Sequence, residues 1–311
     1  MRFANTPMIN DCDVVVIGGG VTGCAAAREL ALRGVPVTLV EQHDLNTHAS
    51  GRNAGSLHGQ IQYAPFVELG EEWARRFAPA LALLHESLAI WRGLGDELGT
   101  DLEVDFLGGL LVAATEEQLR TTTTSVRQAD GAFAVETSAG TIHCRRVVDC
   151  TGVDVGRALG AELGVEGWPM QVAVTEPAPP LVRHLLYFAG GALTLKQAAV
   201  GSLLIGGGWP TRDLGGGRFG VDLEALGENL RLAVDVVPRI AGASLLRTWG
   251  GVCPGTADQL PIIGELVPGY VVAMFPYLGF TAGPVLGRVA AELALGDDKG
   301  RDLAPFSPLR F

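Results

Sequence analysis

A glycine-rich turn between a buried strand and a helix is the feature that most constrains this fold. Residues 13–17 (DVVVI) form an unbroken apolar, β-branched run, which is typical of a strand buried on both faces of a parallel sheet. Residues 18–23 (GGGVTG) follow at once and open an Ala- and Leu-rich helix over 21–33. Residues 36–40 (PVTLV) predict a second buried strand. The order therefore predicts a β-α-β unit.

Three glycines in this turn fit the G-x-G-x-x-G spacing of dinucleotide-binding proteins. Gly18 permits the tight turn, Gly20 lets a pyrophosphate approach the backbone, and Gly23 allows close helix–strand packing. The helix N-terminus then offers N–H groups and a positive dipole end to phosphate. Glu41 closes the second strand, where a carboxylate accepts hydrogen bonds from ribose hydroxyls and repels a 2′-phosphate. The spacing therefore predicts a dinucleotide site.

The segment after the second strand favours FAD over NAD. Residues 48–56 (HASGRNAGS) are small, polar and glycine-rich, whereas NAD-binding domains usually continue into another helix at this point. Ser50, Arg52 and Asn53 offer hydrogen-bond donors of the kind that a flavin's diphosphate and ribityl chain require. We therefore expect a flavin dinucleotide, and an NAD(P) dehydrogenase is the weaker alternative.

The composition indicates which binding partners and which cellular compartment to expect. The formal net charge is −11, from 23 Lys and Arg against 34 Asp and Glu, which disfavours binding to nucleic acid or an acidic membrane. No apolar run reaches the ~18 residues of a transmembrane helix. The N-terminal residues lack the apolar segment of a signal peptide. The 5 cysteines show no CxxC spacing, so we expect reduced thiols, no metal site and a cytoplasmic location.

Further along the chain, apolar periodicity and glycine spacing predict a coarse element order. Helices are expected over residues 66–98 and 222–236, and a strand over 269–275. Residues 213–220 are expected to be a flexible glycine-rich connector, and a glycine turn at 279 precedes a final helix over 284–295. Strands in the middle of the chain, between helix-containing ends, suggest two interleaved domains.

Six stretches, in one order along the chain, carry a resemblance to a known family. They are VVVIGGGVTGCAAARELALRG, EQHDLNTHASGRNAGSLHGQ, VVDCTG at 147–152, LTLKQAAVGSLLIGGGWP at 193–210, TWGGVCPGTADQLPIIG at 248–264 and YLGFTAGPVLGRVAAELALG at 277–296. Together they resemble the FAD-dependent D-amino-acid oxidase superfamily. The nearest branch is the glycine oxidase and sarcosine oxidase group, with the β-type subunits of opine and hydroxyproline dehydrogenases.

The resemblance implies a mixed α/β fold of two domains. A Rossmann-like FAD-binding domain would comprise residues 10–75, 121–165 and 248–311. An interleaved antiparallel-sheet substrate domain, shortened here, would comprise residues 76–120 and 166–247. The family has a longer stretch between strands like GGLLVAA and TTTTSV, so we expect an internal deletion near residues 120–121.

The resemblance also implies which residues contact the cofactor. Val126 would meet adenine, Gly152 would lie beside the pyrophosphate, and backbone N–H groups at 279–281 would meet the pyrimidine edge of the flavin. FAD is expected to be bound non-covalently, because His48 does not fall on the usual attachment position. The full set of expected FAD contacts is Gly18, Gly20, Gly23, Glu41, Gln42, Ser50, Arg52, Asn53, Val126, Gly152, Gly279, Phe280 and Thr281.

The implied reaction is oxidation of the C–N bond of an amino acid, N-alkyl amino acid or opine. Hydride would pass from the α-carbon to flavin N5, and the imine would then hydrolyse. Cys253 stands where glycine oxidases have a carboxylate-binding Arg, and a thiol cannot form that bidentate pair. Lys196, Arg52 and Arg247 are the candidate cations in its place, and Tyr277 is the candidate to cover the flavin.

A second interpretation stays open because of the expected deletion and Cys253. The chain would then be a non-catalytic flavin-binding or structural subunit of a hetero-oligomeric dehydrogenase. If the chain is an enzyme, its partner is a small amino acid or amine. The electron acceptor is then either oxygen or a partner subunit.

Overall fold

The computed structural model describes residues 11–112, 134–137, 140–215 and 218–311. The strands are β1 Asp11–Ile17, β2 Val37–Val40, β3 Gly109–Val112, β4 Ala134–Thr137, β5 Gly140–Asp149, β6 Val165–Pro177, β7 Leu185–Phe188, β8 Thr194–Gln197, β9 Ser202–Gly206, β10 Arg212–Asp213, β11 Phe219–Gly220, β12 Leu245–Thr256, β13 Ile262–Val267 and β14 Tyr270–Met274. The α-helices are α1 Val21–Leu32, α2 Ala49–Arg52, α3 Tyr63–Leu98, α4 Leu223–Val236 and α5 Gly279–Ala294. None of these helices combines the length and the apolar character needed to cross a bilayer.

The first sheet, called sheet A, contains the predicted β-α-β unit. Its strands are ordered β13-β14-β5-β1-β2, with β4 also paired to β5. β1 runs parallel to both β2 and β5, and β14 runs parallel to β5. The valines at 14–16 are fully buried, as expected for a strand covered on both faces. The C-terminal residues thus complete the sheet that the N-terminal residues begin.

Two helices pack closely on one face of sheet A, and glycines in α5 allow the contact. A Cβ on Gly287 would lie 2.5 Å from the Cβ of Ala25 in α1, and a Cβ on Gly283 would overlap the side chain of Val21. This approach brings the N-terminus of α5 beside the N-terminus of α1. The glycine turn at 18–23 and the glycine-rich segment at 279–283 are therefore neighbours.

The second sheet, called sheet B, is ordered β12-β6-β9-β8-β7-β3. Its pairs are antiparallel except for β3 with β7. One face packs on α4, where Leu195, Ile205 and Ala173 share a buried cluster with Leu226 and Ala233. The predicted combination of a Rossmann-like sheet with an antiparallel sheet is confirmed.

Two predicted elements differ from the structure. The final helix begins at Gly279, five residues before the predicted start, because the glycine at 279 continues into the helix after Leu278 instead of forming a separate turn. The segment 213–220, predicted as a connector, contains the paired strands β10 and β11. The expected junction at 120–121 lies outside the described residues.

Candidate cofactor and substrate site

The glycine turn after β1 leaves no room for side chains. Gly18 has φ +101°, and a Cβ on it would lie 2.7 Å from the carbonyl oxygen of Cys150. A Cβ on Gly20 would lie 2.9 Å from Ser50 Oγ, and one on Gly23 would overlap the carbonyl oxygen of Gly18. The sequence therefore needs glycine at these positions to form a cradle of backbone N–H groups.

Two acceptor groups stand at this cradle. The Val21 N–H at the start of α1 donates to Ser50 Oγ at 3.1 Å. The Gly19 N–H donates to Glu41 Oε2 at 2.7 Å, and the His43 N–H donates to Glu41 Oε1 at 2.9 Å. A hydroxyl at the helix N-terminus and a carboxylate at the end of β2 suit a diphosphate and a ribose. These residues fit the ADP half of FAD.

A buried carboxylate that the sequence analysis missed shapes the neighbouring turn. Asp149, at the end of β5, is 0% exposed. Its Oδ1 accepts hydrogen bonds from the N–H and hydroxyl of Thr151, at 3.0 and 2.7 Å. Its Oδ2 accepts hydrogen bonds from the Gly156 N–H at 2.8 Å and the Tyr270 hydroxyl at 2.7 Å. This carboxylate holds the turn containing Gly152 beside β1. The sequence signal that could have predicted this role is an acidic residue within the apolar run VVDC at 147–150.

Residues 53–58, called the cofactor loop below, lie between the two sheets. Asn53 shapes this loop, because its Nδ2 donates to the Ser50 carbonyl at 2.5 Å and its Oδ1 accepts from the Gly55 N–H at 2.6 Å. Arg52, just before the loop, is exposed and its Nε donates to the Thr47 carbonyl at 2.8 Å. Its own carbonyl accepts from Trp249 Nε1 of β12 at 2.9 Å.

The N-terminus of α5 is fixed to the cofactor loop and to α3. Thr281 Oγ1 accepts from the His58 N–H at 3.0 Å and donates to the Ser56 carbonyl at 3.4 Å. The Thr281 carbonyl accepts from Ser87 Oγ at 2.7 Å and from Trp91 Nε1 at 3.0 Å. The Thr281 hydroxyl is therefore engaged with the loop, which leaves the backbone N–H groups at the start of α5 as the groups suited to the flavin.

A second group of side chains joins the loop to sheet B. Lys196 Nζ, on β8, donates to the Gly55 carbonyl at 2.6 Å. His58 Nδ1 is hydrogen-bonded to the hydroxyl of Tyr187 on β7. Burial lowers the pKa of Lys196 to about 8. Burial, and then the charge of Lys196, lower the pKa of His58 to about 4, so its ring is neutral at physiological pH. Lys196 forms no ion pair with any carboxylate that the structure describes.

Cys253 lies in a neutral, aromatic environment. It pairs with Trp168 in the β6–β12 register, and the rings of Trp168 and Tyr277 are in tilted contact, with 4.8 Å between their centroids and 36° between their planes. Burial raises the pKa of the Cys253 thiol to about 12. The thiol therefore stays protonated, and this position carries no charge.

The two faces of sheet B have opposite character. The face on α4 is fully buried. On the other, called the cleft face, the paired residues Lys196, Leu204 and Val174 are only partly buried. The cleft face points at the cofactor loop and α2, because Gly55 touches Lys196 and a Cβ on Gly251 would lie 3.0 Å from the Cβ of Arg52. The cleft face is therefore the face of sheet B that lies toward the cofactor loop and α2, and its side chains stay partly exposed.

The structure brings most of the predicted site residues into two adjoining places. One is the glycine cradle, with Gly18, Gly20, Gly23, Glu41, Ser50 and Gly152. The other is the cleft, with Arg52, Asn53, Lys196, Gly279, Phe280 and Thr281 around it. Tyr277 contacts the ring of Trp168 and is 41% exposed, and Gln42 is exposed beside Glu41. Val126 lies outside the described residues. His58, Tyr187 and Asp149 are the residues that sequence reasoning did not place in the site.

Comparisons with known proteins show the family of this chain and its fold. The chain matches the family described as "FAD dependent oxidoreductase" (DAO) over residues 13–123 and 118–293. It is 26% identical to glycine oxidase of Geobacillus kaustophilus, over 97% of this chain and 98% of that protein. The crystal structure of that oxidase has a TM-score of 0.79 at 22% identity, over 97% of this chain and 100% of the other. The subunit beta of an Arthrobacter sarcosine oxidase is 32% identical over 57% of this chain and 44% of its own length.

The same comparisons bear on the expected internal deletion. The two family matches meet at residues 118–123. The alignment with the Geobacillus oxidase spans 381 positions, and 97% of 311 residues is about 302, so about 79 positions lie opposite gaps in this chain. Both findings agree with a block that is missing relative to the family near residues 120–121.

Proposed function

The chain belongs to the DAO family of FAD-dependent oxidoreductases, and from this premise we propose that it oxidises the C–N bond of an amino acid or N-alkyl amino acid. The named activities of its relatives support this substrate class, since glycine oxidase and sarcosine oxidase are among them. The observation that carries the proposal is the partly buried ammonium of Lys196, on the cleft face beside the cofactor loop, which pairs with no carboxylate among the described residues. The family assigns the cofactor as FAD in place of the nicotinamide alternative.

The residues of the glycine cradle would hold the ADP half of FAD. Gly18, Gly20 and Gly23 would let the diphosphate approach the start of α1, Ser50 offers a hydroxyl and Glu41 a carboxylate. The start of α5 would meet the other end of the cofactor. When bound, FAD would accept the hydride, and with it the two electrons, that leave the substrate. The protein's own contribution is to bind, orient and desolvate the substrate.

Lys196 is the proposed anchor for the substrate carboxylate. An ammonium that is partly removed from water, and whose one partner among the described residues is the Gly55 carbonyl, is stabilised by an added anion. Cys253 cannot serve, because its thiol is neutral. Arg52 is exposed and its Nε is already bonded to the Thr47 carbonyl, so we assign it to the loop and not to the substrate. Tyr277 is assigned to the aromatic wall with Trp168.

Around this anchor, the groups nearest the reacting C–N bond would be uncharged. His58 is neutral at physiological pH and hydrogen-bonded to Tyr187. Neutral surroundings favour the neutral amine over the ammonium, and only the neutral amine can release hydride from the adjacent carbon. The pair also fixes the loop, because the His58 N–H is bonded to Thr281.

The direct test is an absorbance spectrum of the purified protein, followed by anaerobic mixing with single compounds. We expect a yellow protein whose absorbance near 450 nm (a property of flavins) is bleached by at least one amino acid or N-methyl amino acid. Lys196→Met should abolish bleaching at substrate concentrations that saturate the parent protein. Lys299→Met is the matched control, since Lys299 is exposed and pairs with Asp297. A flavin that no compound in the screen bleaches would contradict the proposal.

We further propose a cytoplasmic location and assembly with other subunits. The relative named sarcosine oxidase subunit beta is by that name part of a larger complex, which supports a hetero-oligomer. The odd number of cysteines supports a reducing compartment, because one thiol must stay unpaired within the chain. Size-exclusion chromatography with light scattering, on protein purified from its native host, tests the assembly.

A further inference from the structure

The cleft face of sheet B contains a binding site for the side chain of the substrate. We propose that this site selects substrates with one carboxylate and an aliphatic or aromatic side chain, and rejects dicarboxylates such as opines and acidic amino acids. The proposal rests on the proposed function only for the identity of the anchor, Lys196. Its test uses binding and does not depend on turnover.

The first step is the pairing that defines the cleft face. Lys196 pairs with Leu204, and Leu204 pairs with Val174. Residues directly opposite each other on antiparallel strands point to the same face. The alternate residues Leu195, Ile205 and Ala173 point to the other face and are buried against α4. The neighbours of the ammonium on its own face are therefore aliphatic.

The second step extends this apolar surface. Val172 and Met170 follow Val174 at alternate positions of β6, and all three are partly buried. A Cβ on Gly206 would contact Val172, which shows that Val172 lies on the cleft face. The surface continues to Cys253 and Trp168, which are neutral. A ligand anchored at Lys196 thus meets apolar side chains in the direction of β6.

The third step is the placement of positive charge. Two other cations stand near this face: Arg52 lies against Gly251 of β12 with its Nε bonded to the Thr47 carbonyl, and Arg247 ends the same row, since it pairs with Val174 on β12. It lies three strands from Lys196, about 14 Å at the usual ~4.8 Å spacing. Its guanidinium stands over the ring of Trp249 at 5.1 Å, and its side chain is exposed. Because the Arg247 guanidinium is held over Trp249 at the far strand, we expect it to leave a dicarboxylate anchored at Lys196 without a second cationic partner.

Together these features give the site a specific preference. An aliphatic side chain gains from leaving water for Leu204 and Val174. A second carboxylate would be desolvated against the same residues without a partner, which is unfavourable. We expect a leucine-like side chain to improve binding at least about tenfold over a methyl group, since single methylenes in such pockets are worth about tenfold or more.

The test is calorimetry on the purified holoprotein with carboxylates that carry no amine and cannot be oxidised at a C–N bond. The probes are acetate, 4-methylpentanoate and glutarate. We expect 4-methylpentanoate to bind at least tenfold more tightly than either of the others. Equal binding of acetate and 4-methylpentanoate, or tighter binding of glutarate, would overturn the proposal. Failure of the proposed function would show separately, as a flavin that no amino acid bleaches.

Two variants locate the site. Val174→Arg places a cation about 10 Å from Lys196, two strand spacings away, and should raise glutarate affinity while lowering that of 4-methylpentanoate at least tenfold. Val200→Arg is the matched control, because Val200 is 74% exposed in the turn after β8, and it should change neither. If Val174→Arg does not fold, Leu204→Ala should weaken 4-methylpentanoate alone. If a folded Val174→Arg or Leu204→Ala variant kept the ligand preferences of the parent protein, the assignment of the side-chain site to this face would be wrong.

Discussion

At the scale of single residues, the charge of Lys196 governs how the site responds to pH. Its ammonium is bonded to a carbonyl and lies on an aliphatic face, and burial lowers its pKa to about 8. The ammonium is therefore fully present below that pH and is lost above it. The neighbouring imidazole of His58 does not change its charge in this pH range, because its pKa is about 4 and its ring is already neutral.

The affinity for a carboxylate should follow this titration. We expect binding of 4-methylpentanoate to be constant from pH 6 to 7. Above about 8 it should fall by roughly tenfold per pH unit, as the ammonium loses its proton. Calorimetry across pH 6–10 measures the profile, with Lys299→Met as the control that should retain it. A profile that stays flat to pH 10 would show that Lys196 is not the anchor.

A second prediction concerns Asp149, which accepts four hydrogen bonds while fully buried. In Asp149→Asn the new NH2 group faces N–H and O–H donors and leaves some of them unsatisfied. We expect the free energy of unfolding to fall by about 2 kcal/mol or more. Urea denaturation measures it. Asp213→Asn is the control, since Asp213 is exposed, and it should cost less than about 0.5 kcal/mol.

Sequence reasoning reached some of these residues and missed others for a physical reason. Lys196 was predicted because a lone Lys in an apolar strand pattern is visible locally. The pair of His58 and Tyr187 is 129 residues apart in the chain, so only the fold brings the two together. Asp149 carries a signal within its own strand, but the donors that make its burial favourable come from three other places.

At the scale of elements, the contact between α1 and α5 fixes the start of both helices. Gly287→Ala would place a Cβ 2.5 Å from the Cβ of Ala25, and the backbone of α1 lies directly behind it. We expect a loss of about 1–3 kcal/mol in unfolding free energy, because the helices must separate. FAD should also bind less tightly, since its cradle begins α1. Denaturation and fluorescence of released flavin measure the two effects.

Substitution of a matched glycine should change the stability in the opposite direction. Gly93 lies inside α3, and a Cβ on it would meet nothing within 4 Å. Gly93→Ala should therefore stabilise the protein by about 0.5–1 kcal/mol through helix propensity alone. If both glycine variants gave the same change, close packing of α1 and α5 would not explain the Gly287 result.

Local sequence patterns predicted some helices and strands correctly and misplaced others. The β-α-β unit follows from apolar runs and glycine spacing alone, and the structure has it as β1, α1 and β2. The start of α5 was placed too late because Gly279 and Pro284 read as a turn. Their helical conformation depends on Ser87 and Trp91 holding the Thr281 carbonyl, which no local pattern reveals. The cleft face likewise depends on strand register across four strands.

At the scale of the whole molecule, two ion pairs fasten the C-terminal segment. Arg301 makes two hydrogen bonds to Glu86 of α3, at 2.7 and 2.8 Å. Arg310 bonds to Asp258 at 2.8 Å. The hydrogen bond from Arg301 lowers the pKa of Glu86. Burial alone would raise the pKa of Asp258, but the hydrogen bond and the charge of Arg310, together with hydrogen bonds from Leu260 and Thr256, outweigh it and the pKa is lowered.

Depressed carboxyl pKa values make stability fall in acid. The ionised Glu86 contributes fully to the free energy of unfolding above its unfolded-state pKa near 4.5. This contribution is lost as the pH falls through the lower pKa of Glu86 in the folded protein. Glu86→Gln should cost about 1 kcal/mol at pH 7 and give a shallower decline of stability below pH 4.5. Urea midpoints from pH 3 to 7 measure this. Glu71→Gln in the same helix, where Glu71 is 71% exposed, should leave the curve unchanged.

The position of β14 has a consequence for how this chain is made. It lies between β13 and β5, so sheet A gains its central neighbour only from residues 270–274. A nascent chain leaving the ribosome must therefore leave the outer edge of β5 at residues 147–149 without its partner strand until most of its length has been translated. Flavin capture then follows release, and folding catalysts that shield exposed strands should matter more for yield than the supply of cofactor during synthesis.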